Sequence, residues 1–171
     1  RIVVLPTGET FGGAAQNFFR LLRDCDFSGF DYVAFADQDD IWLPGKVERC
    51  QSVLVACQLV VTDCVVVDGE LRPLSPSFFG MRGSRAGVLH NLWKNSYLGC
   101  CIAMRRTVLE VALPFPENLA MHDWWLGLVA ECMGPVHFLD AALLLYRRHG
   151  GNASQTTMLS TASLIIRLKW R

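Results

Sequence analysis

The chain lacks any charge imbalance: of 171 residues, 16 are Lys or Arg and 16 are Asp or Glu. A surface without net charge has no general attraction to nucleic acid or anionic membrane, so any phosphate recognition must be local. No run of 18 apolar residues occurs, so this sequence contains no candidate transmembrane helix. The seven cysteines (25, 50, 57, 64, 100, 101 and 132) form no Cys-x-x-Cys pair and no Cys/His set with zinc-ligand spacing. Odd in number and scattered through apolar stretches, they read as reduced core residues of a cytosolic protein. The even spacing of Cys50, Cys57 and Cys64 would suit a helical stripe, but the residues around Cys64 are β-branched, so the spacing is taken as chance. Internal repeats and low-complexity segments are also missing. Arg1 opens directly on Ile2-Val-Val-Leu5, and residues upstream of it are expected.

Half of the residues are hydrophobic (51%), enough for one domain with a sizeable core. One stretch organises the rest, Asp31-Tyr-Val-Ala-Phe-Ala-Asp-Gln-Asp-Asp-Ile-Trp42. Its apolar half reads as a buried strand, although periodicity alone does not separate a short buried strand from a buried helix segment. Three acids follow, Asp37, Asp39 and Asp40. Carboxylates at the carboxyl end of a strand lie where α/β folds bind ligands. They repel one another unless a hard cation such as Mg²⁺ or Mn²⁺ balances them. A solvated turn accounts for them as well.

Around this stretch, strands and helices alternate. Residues 1–5 read as a strand, 6–13 as a glycine-bearing loop and 14–25 as a helix. Pro44 suits the first turn of a helix to about Ala56, with Lys46, Glu48 and Arg49 outward. Residues 58–67 form a second strand region, and Asp68-Gly69 starts a hairpin with Leu71 onward. Residues 75–87 read as a loop, followed by a short helix at 90–96. A strand at 97–104, helices at 106–113 and 123–133, and strands at 136–139 and 142–146 complete the pattern, before a basic loop at 147–152. The tail from Met158 is apolar and basic without amphipathic phase. Alternation of this kind predicts an α/β domain, and the hairpin makes its sheet mixed.

Four polar clusters remain: the three acids, Met121-His-Asp-Trp-Trp125, Arg147-Arg148-His149, and Gly12-Gly13 with Gln16 and Asn17. Asp123 is well placed to cap a helix, yet a part-buried acid beside His122 and large aromatics also has the raised pKa of a general base. Arg147, Arg148 and His149 read equally as a solvated basic loop or as guanidinium groups for a diphosphate and an imidazole for a metal. Together the clusters fit transfer from a nucleotide-sugar diphosphate, with a cation and basic loop on the leaving group and a carboxylate on the acceptor hydroxyl.

These motifs resemble the family-2 glycosyltransferases, in particular the bacterial rhamnosyltransferase-like branch. Ala36-Asp-Gln-Asp-Asp-Ile-Trp42 is similar to that family's acidic motif, Phe11-Gly-Gly-Ala-Ala-Gln-Asn-Phe18 to the segment before it, and Leu98-Gly-Cys-Cys-Ile-Ala-Met-Arg-Arg106 to its acceptor-side strand. Met121-His-Asp-Trp-Trp125 resembles the place of the family's base, and Tyr146-Arg-Arg-His-Gly-Gly-Asn152 its late histidine motif. The resemblance implies a GT-A fold, a Rossmann-like mixed sheet flanked by helices, and inverting transfer with Mg²⁺ or Mn²⁺. It implies Asp123 as base, Asp39 and His149 on the metal, and Asp37, Asp40, Arg147, Arg148 and Gly99 around donor and acceptor. The donor would be dTDP-rhamnose or a UDP-sugar, and the acceptor a glycan or lipid-linked glycan of a surface polysaccharide.

The family's opening strands, which hold the nucleobase, have no counterpart here. The expectation is therefore a partial GT-A catalytic domain over 1–157 and an apolar, basic helical segment over 158–171. A cytoplasmic location follows from the resemblance, with peripheral membrane contact where the acceptor is lipid-linked; nucleic acid is not an expected partner. Two other readings compete. One is a non-catalytic sugar-nucleotide-binding or inert transferase fragment. The other is a phosphatase with Asp37 as nucleophile and Asp39 as acid/base, though no late acidic pair supports it.

Overall fold

The computed structural model describes residues 2–6, 13–116, 119 and 121–148. In chain order the elements are α1 (Ala14–Asp24), β1 (Tyr32–Ala34), β2 (Ile41–Trp42), α2 (Lys46–Leu54), β3 (Leu59–Val67), β4 (Pro73–Ser75), α3 (Phe78–Arg82), α4 (Val88–Trp93), α5 (Arg106–Ala112) and α6 (His122–Met133). A 3₁₀ turn (Gly99–Cys101) leads into β5 (Ile102–Arg105), and β6 (Val136–Arg147) closes the described chain.

The β-branched run Leu59-Val-Val-Thr-Asp-Cys-Val-Val-Val67 is buried at all but one of its nine positions, as a central strand should be. It pairs parallel with β6 on one side and antiparallel with β5 on the other. β1 lies antiparallel on β5 and β2 antiparallel on β6, giving the order β1-β5-β3-β6-β2, with β4 also pairing with β3. This is the mixed α/β sheet flanked by helices that the sequence predicts, consistent with part of a GT-A-like fold. The larger core packs α5 and α6 against the sheet through Val108, Leu109, Leu126 and Ala130. A smaller core lies under α2, around Cys50, Leu54 and Cys57.

Several local expectations need correcting. Residues 2–5 are not in a strand, and Ile2 is 93% exposed, since no neighbour in the described sheet supplies a ladder for them. Residues 75–87 are not a structureless loop: Asp63 accepts from the N–H groups of Phe78 (2.9 Å) and Phe79 (3.0 Å) and from the Ser77 hydroxyl (2.5 Å), which starts α3. The two strands expected at 136–139 and 142–146 are one strand, with register shifts against β3 at Asp63. Residues 97–101 precede the strand rather than belonging to it. Lys46 does not point outward. It is 2% exposed, its ammonium donating to the Cys100 carbonyl (3.0 Å) and lying 5.0 Å from the Trp42 ring centre. The hairpin at Asp68 stands as expected, with β4 antiparallel on β3. Five cysteines are buried, as core residues are, whereas Cys25 is half-buried and Cys132 exposed. The tail after Met158 and the loop from His149 lie outside the described residues.

Candidate functional site

The acids follow β1, at one end of the described sheet; its Val33 and, just beyond it, Phe35 are fixed in the core. One ligand atom each from Asp37, Asp40 and Cys100 lies within 4.8 Å of the others. Asp40 Oδ1 accepts the Arg147 N–H at 2.9 Å, whereas Asp40 Oδ2 is buried without a partner. An orphaned carboxylate oxygen beside a second carboxylate fits a hard divalent cation. Asp37 and Asp40 would hold it, with Asp39 next in the chain, while the Cys100 thiol, kept protonated by its hydrogen bond with Cys101 and by burial, lines the site without ligating. Asp39 is not in this set of three; its carbonyl accepts from Arg147 Nε at 2.9 Å.

Burial, then the charges of Asp40 and Asp39, push the Asp37 carboxyl up to about 6. Burial also raises Asp40, opposed by the Arg147 N–H and the Cys100 thiol. Burial is the first cause of both shifts, and crowding by the neighbouring acids adds to it. Arg147 ends β6, and its guanidinium also donates to the Gly69 carbonyl at 3.0 Å. Arg148 donates its backbone N–H to Val67 (2.8 Å). His149 and Gly12 lie outside the described residues.

The second half of the site is the start of α6. Asp123 is 4% exposed and accepts its neighbour Trp124's N–H at 2.6 Å. Burial drives its carboxyl up to about 7, despite hydrogen bonds from Trp124, Gly99 and Asn95, and the Asp37 charge adds to the rise. Gly99 thus joins the two halves: its N–H meets Asp123, and the next residue, Cys100, meets Asp40. A carboxyl poised near neutrality is suited to general base catalysis.

No protein-family model matches the chain. It is 25% identical to the dTDP-rhamnosyl transferase RfbG of Shigella flexneri over 181 aligned positions, covering 99% of this chain and 62% of that protein. It is 24% identical over 142 positions to the uncharacterized glycosyltransferase alr2836 of Nostoc sp. strain PCC 7120, covering 77% of this chain and 44% of that protein. The chain is a glycosyltransferase homologue. It spans 62% and 44% of the length of these two transferases.

Within this transferase-like framework, the structure brings together Asp37, Asp40, Gly99 and Asp123, and ties Arg147 to the acid loop. Sequence reading missed Cys100 and Lys46. Cys100 read as a core residue, which it also is at 1% exposure, and nothing in its neighbours marks it as facing acids. Lys46 read as an outward helix residue, and no local pattern marks it as buried; Gly45 before it holds φ +83°, a left-handed conformation that suits glycine. Gln16, from the glycine cluster, lines a separate cavity.

Proposed function

We propose that this chain forms part of the catalytic domain of a metal-dependent, inverting glycosyltransferase. It would move a sugar, L-rhamnose as the first candidate, from a nucleotide donor to a glycan acceptor in surface polysaccharide biosynthesis. The observation that carries this is the convergence, around Gly99 and Cys100, of an acid pair with an unpartnered oxygen and a buried carboxyl raised to about 7. Similarity to the dTDP-rhamnosyl transferase RfbG supports dTDP-rhamnose as donor.

In this scheme Asp123 takes the proton of the acceptor hydroxyl as its oxygen bonds to the anomeric carbon. The bond from that carbon to the diphosphate breaks on the opposite face, and its electron pair leaves with the diphosphate. A bound Mg²⁺ or Mn²⁺ would neutralise that charge. Asp37, Asp40 and Asp39 line the donor side, with Arg147 beside them and Arg148 and His149 next in the chain. Among the described residues no helix is long and apolar enough to cross a membrane. Reaction at the cytoplasmic face, on a glycan or lipid-linked glycan, is the setting proposed.

Calorimetric titration of dTDP-rhamnose and UDP-sugars with Mn²⁺, then with EDTA, tests the scheme. Binding that needs the metal supports it and ranks the nucleotides. Absence of binding, repeated on a chain extended at its N-terminus, would overturn it.

A further inference from the structure

A buried histidine without hydrogen bonds stands beside the proposed base. His122, the first residue of α6, is 7% exposed, and neither Nδ1 nor Nε2 has a partner. Its ring stacks on Phe18 (centroids 4.4 Å apart) and meets Phe35 (5.3 Å) and Phe19 (6.1 Å) edge-on. Phenylalanine would fill this aromatic cage without leaving two polar atoms unsatisfied, a state that costs stability. A sequence that keeps an imidazole there gives up stability at a site, which is where functional residues are found.

Two further features say what the imidazole awaits. A Cβ on Gly99 would lie 3.0 Å from His122 Nε2 and 3.8 Å from Asp123 Cβ, so the missing side chain lets the turn approach both residues. Phe19 also lines a cavity of about 420 Å³ between α1 and the segment after α5, with Gln16, Arg23, Phe115 and Pro116 around it. This volume lies in the range of small-ligand sites, about 300–1,000 Å³. Phe19 and Phe115 pack at 4.9 Å. Aromatic faces, an amide and a guanidinium suit the C–H faces and hydroxyls of a sugar. A neutral imidazole has one donor and one acceptor, and a hydroxyl can answer either.

We infer that this cavity is the acceptor subsite, and that His122, reached when the Phe19 ring turns aside, contacts a hydroxyl of the acceptor saccharide next to Asp123. The assignment rests on the glycosyl-transfer reading. It favours acceptor over donor because the donor side is taken by Asp37 and Asp40, whereas Asp123 must meet the acceptor.

The test follows the imidazole NMR signals of His122, identified by their loss in H122F. Methyl α-L-rhamnoside and methyl β-N-acetylglucosaminide are titrated into the protein with dTDP and Mn²⁺ present. At least one glycoside should shift the His122 signals saturably. H122F should bind it roughly tenfold or more weakly, a loss of one decade in affinity. The same variant should keep dTDP affinity and match or exceed the wild-type Tm. F115A should weaken glycoside binding and leave dTDP binding alone. If H122F fails to fold, H122L takes its place. Glycoside binding that leaves His122 unmoved, or that is equal in the variant, overturns the assignment. So does dTDP binding with no glycoside binding, which leaves the transferase reading standing. Failure of dTDP and UDP to bind counts against the transferase reading itself. Glycoside shifts at His122 would then still identify a saccharide site, and their absence would overturn it.

Discussion

The backbone N–H of Arg147 donates to Asp40 Oδ1 at 2.9 Å across 107 residues of chain, and Nε of the same arginine donates to the Asp39 carbonyl at 2.9 Å. The acid loop is thus held in place by the end of β6. Asp40→Ala removes the tether and a candidate ligand together, and is expected to destabilise by about 1–3 kcal/mol in denaturant titration. It should also weaken Mn²⁺ binding. Asp39→Ala keeps the carbonyl contact and removes no atom of the candidate cation set, so it should cost less stability and weaken Mn²⁺ and donor binding less than Asp40→Ala. Equal Mn²⁺ and donor binding in wild type and both variants would remove these acids from the cation site.

Asp123→Asn keeps the shape of the side chain and removes the base. Nucleotide binding should survive while transfer falls by about 10²–10⁴-fold, the usual contribution of a positioned base. The base works when ionised, and its carboxyl is raised to about 7. The wild-type rate should therefore climb with pH up to about 7 and level off above. A rate–pH profile flat between pH 5 and 8 would separate Asp123 from proton transfer.

Stability carries the same groups with a definite sign. Asp37 and Asp123 titrate at about 6 and about 7 in the folded chain, above the ordinary 3.8, so folding takes up protons in that window. Their protonated forms suit the fold below pH 4, and their contribution to stability declines as pH rises towards 7. His122 acts oppositely. Burial lowers it to about 4 from 6.5, so its contribution to stability improves between those values as the unfolded chain loses its proton. Two acids outweigh one imidazole, and unfolding free energies measured from pH 4.5 to 6 should carry a downward component that Asp123→Asn reduces. An unchanged slope in that variant would mean that Asp123 titrates normally.

Gly127 sits on α6 where an added Cβ would fall 2.3 Å from the Tyr97 ring, and Tyr97 is 4% exposed with its hydroxyl donating to Glu131 at 2.6 Å. Neither the ring nor the helix has room to yield without breaking that bond. Gly127→Ala should therefore destabilise by about 1–3 kcal/mol, as overpacking does, although alanine favours helix. A rise in Tm would show that the ring is free to move.

Much of this fold could be read from residue order. The apolar runs at 32–36 and 58–67, the turn at Asp68-Gly69 and the helix ended by Gly134-Pro135 carry strong local signals. What escaped was set by distant partners. Residues 75–87 show no helical period, and α3 exists because Asp63 gathers its N–H groups from a strand about 15 residues away in sequence. Lys46 looked solvated because a helix of nine residues shows which positions share a face, not which face turns inward. At the site, Asp37, Asp39, Asp40 and Asp123 stood out as acids in unusual company. His122 stood out only as the neighbour of Asp123, and Cys100 did not stand out at all, since their meaning depends on which polar atoms lie opposite or fail to.

The central strand β3 precedes both of its long-range partners, β5 and β6, in the chain. During synthesis its apolar residues leave the ribosome before either neighbour exists to cover them. The acid loop, made earlier still, stays open until Arg147 has been added. Formation of the proposed cation site is thereby delayed to the final stage of folding of the described residues. A nascent chain shorter than this would expose sticky β-branched surface and have no assembled acid site.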